Sequence, residues 1–313
     1  MTKNKYFVFS DLHGEADGFE KALEEAGYDR YDKTHYLVSC GDNFDRGRYS
    51  AEILEILRGP RVICVKGNHD CFLEEYLEKG IDGEYVLFNI LRNGLNTTIS
   101  SLCGKELGPS ININTYQDVR REIQQRYGFL LSWLKNMPKF FETKHFIFCH
   151  AGVDPRVRHW KETKDDFFLW DIDYSHIVPN NTDGKIVVFG HHHVSQVRQI
   201  CEDSKVRYTD LRRGSLPQIK GVYGNKDDNA PIYMFGKIAI DGCTYLTKTP
   251  NIIVIEDEPM DEPEAEKEEV QEPTISDVKV SIDSELHTFS YGGNDYTYTI
   301  NTDGFRTNNI WNL

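Results

Sequence analysis

The sequence predicts an α/β fold in which two β-sheets pack together. Three observations support this: short β-branched and aromatic runs typical of buried strands, stretches between them with apolar residues at helical spacing, and polar residues directly after the strands. Alternation of strand, loop and helix is typical of a sheet whose functional residues lie on the loops that follow its strands.

The first 75 residues show this alternation most clearly. Strands are predicted at 6–10, 36–39 and 62–65, and helices between them at 15–26 and 49–57. Residues 72–137 are predicted to be mostly helical, and Pro138 ends that region.

Strand character returns in the second half of the chain. Runs at 145–149 and 186–189 continue the α/β pattern. Shorter runs at 219–223, 232–235, 237–240 and 252–255 predict a second, more antiparallel sheet.

Composition narrows the class of protein. With 39% hydrophobic and 27% charged residues the chain is globular, and no apolar run approaches the length of a membrane span. Residues 1–9 lack the apolar stretch and cleavage site of a secretory signal, so we expect a cytoplasmic location and no membrane partner. The seven cysteines show no CxxC spacing, and we expect Cys40, Cys64 and Cys149 to be buried and reduced.

The net charge of −14 is concentrated near the C-terminus. Residues 256–277 carry eleven acids against Lys267, and residues 278–313 carry a net −2, which leaves −2 for residues 1–255. Nucleic-acid binding is therefore not expected. We predict a catalytic domain at 1–255, an acidic, Pro-containing linker at 256–277 and a small β-rich appendage of unknown partner at 278–313, with a hairpin turn at 291–295.

The loop after the first predicted strand reads Asp11-Leu12-His13-Gly14. Alternation along an extended segment would point Asp11 and His13 the same way, so that one ion can take both. Gly14 would then allow a sharp turn into the helix. The alternative is that Asp11 caps this helix beside an incidental histidine.

The loops after the second and third strands continue the pattern. The second loop, Gly41–Gly47, contains Asp42, whose carboxylate can bridge two cations. It also contains Arg46, whose planar guanidinium can bind phosphate oxygens. The alternative is that Arg46 forms an ordinary loop salt bridge with Asp45. The third loop contains Asn68 and His69. His69 is a candidate general acid that Asp45 could orient, or an ordinary helix-start histidine.

Two later strands end in histidines: His150, and the run His191-His192-His193. A single histidine after a strand is more often structural, but three in succession favour a metal site. Oxygen and imidazole ligands suit Mn, Fe or Zn better than Ca, and two ions about 3.5–4 Å apart would share Asp42. We expect two divalent ions, with Mn²⁺ first and Fe or Zn as alternatives.

These five loops resemble the signature blocks of the calcineurin-like metallophosphoesterases. The resemblance covers residues 1–255 and favours the branch of bacterial and phage serine/threonine protein phosphatases and symmetric diadenosine tetraphosphatases. It implies a four-layer αββα sandwich, in which two mixed β-sheets are flanked by helices and the metals lie between the sheets. The resemblance implies that the first metal ion is held by Asp11, His13 and Asp42, and the second by Asp42, Asn68, His150 and His191. It also implies that Arg46 and Asn68 contact the phosphate group. His69, supported by Asp45, would be the general acid.

Three departures from the branch stand out. Asp70 replaces a usual Glu, which the wider superfamily accepts. His192-His193 replaces Thr-Pro, and His193 could be an extra ligand of the first metal. The branch commonly has Trp-Ile-Arg where this chain has Trp170-Asp171-Ile172, so the arginine that grips phosphate is missing, and Arg156 or Arg158 could substitute.

The sequence thus predicts a phosphate-monoester hydrolase that resembles serine/threonine phosphoprotein phosphatases. In the expected mechanism a metal-bridging hydroxide attacks phosphorus and His69 protonates the leaving group. The substrate would be a phosphorylated protein or a small phosphate ester. One alternative is symmetric diadenosine tetraphosphate hydrolysis, and another is a binding or scaffold protein that has lost activity.

Overall fold

The structure, a computed structural model, describes residues 3–107, 112–171, 182–203, 219–223, 229–234, 236–260, 287–291 and 294–298. Its contacts divide the chain into two units, Met1–Met260 and Asp261–Leu313. The predicted boundaries at 255 and 277 stay predictions, and the remaining residues of the predicted linker, 261–277, lie outside the described residues.

The first unit alternates strands and helices along the chain. The strands are β1 (Asn4–Phe9), β2 (His35–Ser39), β3 (Val62–Cys64), β4 (Phe140–Glu142), β5 (Phe146–Cys149), β6 (Ile186–Phe189), β7 (Ile219–Tyr223), β8 (Ile232–Met234), β9 (Lys237–Ala239) and β10 (Ile252–Asp257). The helices are α1 (Ala16–Ala26), α2 (Ser50–Leu57), α3 (Asn68–Lys79), α4 (Val86–Phe88), α5 (Leu95–Cys103), α6 (Ile113–Arg126), α7 (Leu130–Lys135), α8 (Asp165–Trp170), α9 (Val194–Asp203) and α10 (Thr244–Thr247).

The strands form two mixed five-stranded sheets. The first has the order β3-β2-β1-β10-β7, with β1, β2 and β3 parallel and β10 antiparallel to both β1 and β7. The second has the order β4-β5-β6-β9-β8, with β5, β6 and β9 parallel and the two edge strands antiparallel. The predicted α/β class with two packed sheets is confirmed.

The expectation that the late strands build the second sheet is confirmed for β8 and β9 and wrong for β7 and β10. β7 and β10 join the first sheet, whereas β8 and β9 complete the second, whose first strand, β4, was not predicted. A period-2 apolar pattern shows that a segment is a strand but does not choose its neighbour, because pairing is set by contacts far apart in sequence.

Three buried clusters give the molecule its layers. Side chains alternate along β1, so Phe7 and Phe9 pack with helices on the outer face of the first sheet, while Tyr6 and Val8 lie between the sheets. β5 does the same: Phe146 and Phe148 point between the sheets, and Ile147 packs outward. Two sheets with helices on both outer faces are the predicted αββα arrangement.

A helical insertion, 68–135, covers one end of the first sheet. Its helices α3, α5, α6 and α7 bury Leu73, Ile99, Ile123 and Leu134 in the same cluster as the outer face of that sheet. This insertion places α5 beside the loop that follows β2.

In the second unit, β11 (His287–Tyr291) pairs antiparallel with β12 (Asn294–Tyr298). This pairing places Tyr291 opposite Asn294, and residues 292–293 of the predicted turn at 291–295 lie outside the described residues. Among the described residues, every helix is too short or too polar to span a bilayer.

Candidate metal centre and active site

The five predicted loops leave their strands at adjoining sheet edges. Because β1, β2 and β3 are parallel, their carboxyl ends meet at one edge, and the parallel pair β5 and β6 brings His150 and His191 to one edge of the second sheet. The two edges touch: the backbone N–H of His191 donates to Asp11 Oδ2 at 2.9 Å, and His150 Nδ1 lies 2.8 Å from the carbonyl of Cys40.

The first group of possible ligands surrounds His13. Its Nδ1 lies 2.9 Å from the carbonyl of Phe44, which directs Nε2 into the site. Nε2 lies 4.0 Å from Asp11 Oδ1 and 3.8 Å from Asp42 Oδ2. Ligand atoms of His13, Asp42 and His69 all lie within 4.8 Å of one another, so these residues could hold a metal ion.

Asp11 and His13 are brought together differently from the expected way. β1 ends at Phe9, and Asp11 (φ 52°) and His13 (φ 47°) adopt left-handed conformations, so the expectation of an extended segment with alternating side chains was wrong. Such conformations cost on the order of 1 kcal/mol or more for a non-glycine residue and are concentrated at functional sites. Four further candidate residues share this conformation: Asp42, Asp45, Arg46 and His191.

The second group lies across Asp42. Asp42 Oδ1 is 3.4 Å from His150 Nε2, which in turn lies 3.2 Å from His191 Nδ1 and 2.8 Å from Asn68 Oδ1. Asp42, His150 and His191 likewise meet the 4.8 Å spacing for a metal site. One carboxylate therefore faces both groups, through Oδ2 toward His13 and Oδ1 toward His150.

The carboxyl groups of the site are close together and buried. Burial, followed by the charge of Asp241, raises the pKa of Asp11 well above its usual range. Burial, followed by the charges of Asp11 and Asp70, does the same to the pKa of Asp42. Bound cations would favour the ionised forms and offset this cost, so the donor set fits a metal centre.

The imidazoles are held neutral, which is the form that binds metals. Burial lowers the pKa of His150 to about 3. Burial and the charge of Arg46 hold the pKa values of His13 and His69 well below the usual range. A neutral imidazole whose Nδ1 is used by a backbone carbonyl leaves the Nε2 lone pair for a cation.

His69 has a carboxylate partner, as predicted. Its Nδ1 lies 2.8 Å from Asp45 Oδ2. Thr98 of α5 fixes Asp45 twice: its hydroxyl donates to Asp45 Oδ1 at 2.8 Å and accepts from the Asp45 backbone N–H at 2.7 Å. Burial nevertheless raises the pKa of Asp45 to about 7, against the opposing effects of Thr98 and Arg46.

Arg46 lies over the site. Its Nη1 and Nη2 lie 2.9 Å and 3.2 Å from the Nε2 atoms of His13 and His69. The ring of Tyr245, from α10, lies under the guanidinium at 4.8 Å. Arg46 is therefore held by an aromatic face and aimed at the two imidazoles.

Asp70 fastens the second and third loops together. Its carboxylate accepts hydrogen bonds from the backbone N–H groups of Gly67 at 2.8 Å, Asp42 at 3.1 Å and Asn43 at 3.3 Å. The Asp that replaces the usual Glu is thus a structural brace in this chain. These bonds oppose the effect of burial, which raises the pKa of Asp70 to about 6.

Two predicted site residues, His193 and Arg156, make contacts other than the predicted ones. His193 Nε2 lies 4.0 Å from Asp241 Oδ2 and is outside both spaced groups. Arg156 forms a fork on Asp154, with distances of 2.8 Å and 3.1 Å, on the surface. His193 as an extra ligand and Arg156 as a phosphate contact stay predictions, and Ile172 of the departing block lies outside the described residues.

Sequence reasoning missed Thr98, Tyr245 and Asp241. Thr98 and Tyr245 follow no strand end and belong to no metal-binding pattern, so no local signal identifies them. Asp241 lies two residues after the end of β9, as Asp11 lies two residues after the end of β1, and that position was the available signal.

Comparison with known proteins agrees with this geometry. The chain is 36% identical over 74 residues to serine/threonine-protein phosphatase 2 of Escherichia coli, which covers 24% of this chain and 33% of that protein. It is 26% identical over 172 residues to the Salmonella typhimurium protein of the same name (53% and 67%). It is 27% identical over 155 residues to the symmetrical bis(5'-nucleosyl)-tetraphosphatase of Glaesserella parasuis (48% and 45%).

The matches thus span a third of the first relative and less than half of the third. A sequence model of the calcineurin-like phosphoesterases matches residues 5–206, which include every predicted metal ligand. The chain belongs to the calcineurin-like phosphoesterase family.

Proposed function

We propose that this chain is a dinuclear-metal phosphoesterase that hydrolyses phosphate monoesters, with a phosphoserine or phosphothreonine protein as substrate. The observation that carries the proposal is the position of Asp42. Its Oδ2 is 3.8 Å from His13 Nε2 and its Oδ1 is 3.4 Å from His150 Nε2, so one buried carboxylate serves two ligand groups. A cytoplasmic location stays a prediction.

The predicted ligands divide between two ions. Asp11, His13 and Asp42 would hold one ion, and Asp42, Asn68, His150 and His191 would hold the other. Two divalent ions held there would polarise the phosphate oxygens and lower the pKa of a water molecule. We propose Mn²⁺, with Fe or Zn as alternatives, because the donors are carboxylate, amide and imidazole groups.

Arg46 and Asn68 would bind the phosphate group. Arg46 donates to the Nε2 atoms of His13 and His69 in this structure. Each of these nitrogens has a single lone pair, so a bond from Arg46 and any other bond to the same nitrogen exclude each other. Arg46 must therefore turn its donors to another acceptor when His13 binds a cation, and a phosphate group is the acceptor that matches its fork.

His69 would donate the proton to the leaving oxygen. Its Nδ1 is engaged by Asp45, so Nε2 is the atom that can face substrate. The pKa of His69 is low because of burial and the charge of Arg46. A phosphate dianion that draws Arg46 away and adds negative charge beside the ring would raise this pKa, which couples protonation of His69 to substrate binding.

A substrate panel tests the proposal. The full chain is assayed with a phosphoserine peptide, an aryl phosphate monoester and a phosphodiester, each with Mn²⁺ and with a chelator. We expect hydrolysis of both monoesters that the chelator abolishes, and slower hydrolysis of the diester. If the metal-replete protein hydrolyses none of these phosphate esters, the proposal is contradicted.

The second candidate function is hydrolysis of a symmetric dinucleoside tetraphosphate. The 155-residue similarity to a protein named for that activity favours it. The metal groups would serve either reaction, so diadenosine tetraphosphate belongs in the same panel. A kcat/KM for it far above that of the peptide would assign this substrate instead.

A further inference from the structure

A cavity of about 370 Å³ adjoins Arg46 on the side of α1 and α10. It is lined by Glu15, Asp17, Gly18, Arg46, Gly47, Arg48, Tyr49 and Lys248. Arg46 therefore belongs both to the candidate active site and to this cavity. The cavity is therefore a candidate position for further groups of a substrate whose phosphate contacts Arg46.

The charges of the lining favour an anion. Three basic side chains line the cavity against two acidic ones. Lys248 and Glu15 form an ion pair and compensate each other, which leaves Arg46 and Arg48 against Asp17. The exposed Arg48 has no hydrogen-bond or ion-pair partner within the described part of the chain.

The cavity wall is fixed by backbone packing. A Cβ at Gly18 would lie 2.0 Å from the carbonyl oxygen of Lys248, and a Cβ at Gly47 would lie 2.2 Å from the carbonyl oxygen of His13. Close backbone approach on two sides fixes the main chain from which Arg48 and Lys248 extend. A fixed main-chain wall lowers the conformational cost of binding, because less freedom is lost when a ligand enters.

We propose that this cavity, with Arg48 and Lys248, is a subsite for a second anionic group next to the phosphate that is hydrolysed. The inference rests on the proposed function and adds a substrate preference to it. Two sources supply such a group: an acidic side chain that flanks a phosphorylated residue, and the further phosphates of a polyphosphate chain. Both present oxygen anions to Arg48, whose planar fork binds carboxylate and phosphate alike.

The test compares matched substrates. Two phosphoserine peptides differ only in having glutamates or glutamines beside the phosphorylated residue, and diadenosine tetraphosphate is compared with an aryl phosphate monoester. The measured quantity is the ratio of kcat/KM within each pair. We expect the wild type to prefer the more anionic member, and Arg48→Glu to reduce that ratio about tenfold, as for loss of a hydrogen bond to a charged group.

Two further variants separate local contact from overall charge. Lys248→Gln should reduce the ratio by a smaller factor, because Lys248 is shared with Glu15. Lys21→Glu makes the same charge change as Arg48→Glu on an exposed face of α1 and should keep the wild-type ratio. A change confined to the peptide pair identifies a flanking acid as the ligand, and a change confined to the tetraphosphate pair identifies a phosphate.

The outcomes distinguish this inference from the proposed function. An active wild type whose ratios are the same in Arg48→Glu would overturn the subsite alone. Equal loss in Arg48→Glu and Lys21→Glu would also overturn it, since the effect would then be one of net charge. A wild type that hydrolyses none of the four substrates would overturn the proposed function and the subsite together.

Discussion

The two sheets contribute to the site in different ways. The first sheet supplies three loops in succession, after β1, β2 and β3, and these loops are tied to one another. Asp70 joins the second and third loops, and a Cβ at Gly14 would lie 2.9 Å from the backbone of Gly47 in the second. The second sheet supplies single histidines after β5 and β6, His150 and His191.

The second sheet depends on the first for the position of its ligands. His150 Nδ1 is fixed by the carbonyl of Cys40 and the His191 backbone by Asp11, both on first-sheet loops. The first-sheet loops form a rigid half of the site, and the second-sheet histidines are docked against it. Substitutions at the contact between the two halves should therefore weaken metal binding even where the substituted residue is not itself a metal ligand.

Asp42 is the residue that both halves share, so Asp42→Asn has the largest expected effect. An amide bridges two cations poorly, and loss of the paired ions removes several kcal/mol of transition-state stabilisation. We expect turnover to fall by on the order of 10⁴-fold and the manganese content after dialysis to fall below two ions per chain. Asp118→Asn, on exposed α6, is the matched control. Unchanged metal content and turnover would break the comparison.

His69→Ala tests the role of the first-sheet half in catalysis. If His69 is the general acid, turnover of an alkyl phosphate should fall by roughly 10²–10⁴-fold, with a smaller loss for an aryl phosphate whose leaving group needs no proton. His69 also meets the spacing of a metal ligand, so bound manganese is measured in the same samples. A parallel loss of metal would assign His69 to the ligands instead. The exposed His159→Ala serves as control.

The first-sheet half could be predicted from sequence because its signals are local. Asp11, Asp42 and Asn68 each follow a recognisable strand, and parallel strands bring such loops to one edge whatever the details of packing. What could not be predicted is how the loops are held. The left-handed conformations of Asp11 and His13 depend on backbone contacts with the second loop, to the carbonyl oxygens of Gly41 and Asp42.

Contacts between distant segments were beyond the sequence for the same reason. Thr98 reaches Asp45 across 53 positions, and Tyr245 reaches Arg46 from the connection between β9 and β10. Nothing in the sequence around Thr98 or Tyr245 distinguishes either one from an ordinary helix residue. The insertion of β10 between β1 and β7 is a further case, since its apolar run fits either sheet.

Gly190→Ala acts directly on the contact between the two halves. A Cβ there would lie 1.9 Å from Ser10 Oγ and 2.1 Å from Asp11 Oδ2, so the loop after β6 must shift away from the loop after β1. We expect the free energy of unfolding to fall by roughly 1–3 kcal/mol and Mn²⁺ affinity to fall with it. Gly128→Ala, whose Cβ would make an ordinary 3.7 Å contact, should change neither. A wild-type affinity in Gly190→Ala would show that the halves are not coupled.

The pH dependence of Mn²⁺ binding tests the crowded carboxyls. Because the pKa values of Asp11 and Asp42 are raised, chiefly by burial, binding must displace protons. Affinity should rise with pH, by up to about tenfold per unit for each proton displaced. Calorimetry in buffers of different ionisation enthalpy measures the protons released. Binding without proton release would contradict the raised pKa values.

Two other buried carboxyl groups, those of Asp45 and Asp70, give a sign for the dependence of stability on pH. A carboxyl whose folded-state pKa is raised stabilises the fold fully below its unfolded pKa of about 4, and that contribution is lost as pH rises through the folded value. For Asp45 the folded value is about 7 and for Asp70 about 6. The melting temperature of the metal-free protein should therefore fall as the pH rises from about 5 to about 8.

Tyr245→Leu has the smallest expected effect. It tests the connection between the two sheets, because α10 lies between β9 of the second sheet and β10 of the first sheet. The Arg46 guanidinium lies 4.8 Å from the centre of the Tyr245 ring. Loss of this cation–π contact, worth about 0.5–1 kcal/mol, should raise KM for a phosphate monoester roughly twofold to fivefold and leave kcat nearly unchanged. Tyr245→Phe keeps the aromatic face and should keep the wild-type KM. Tyr31→Leu, which removes an exposed ring beside Arg30, is the control. A fall in kcat without a change in KM would instead place Tyr245 with the catalytic half through its edge contact to His13.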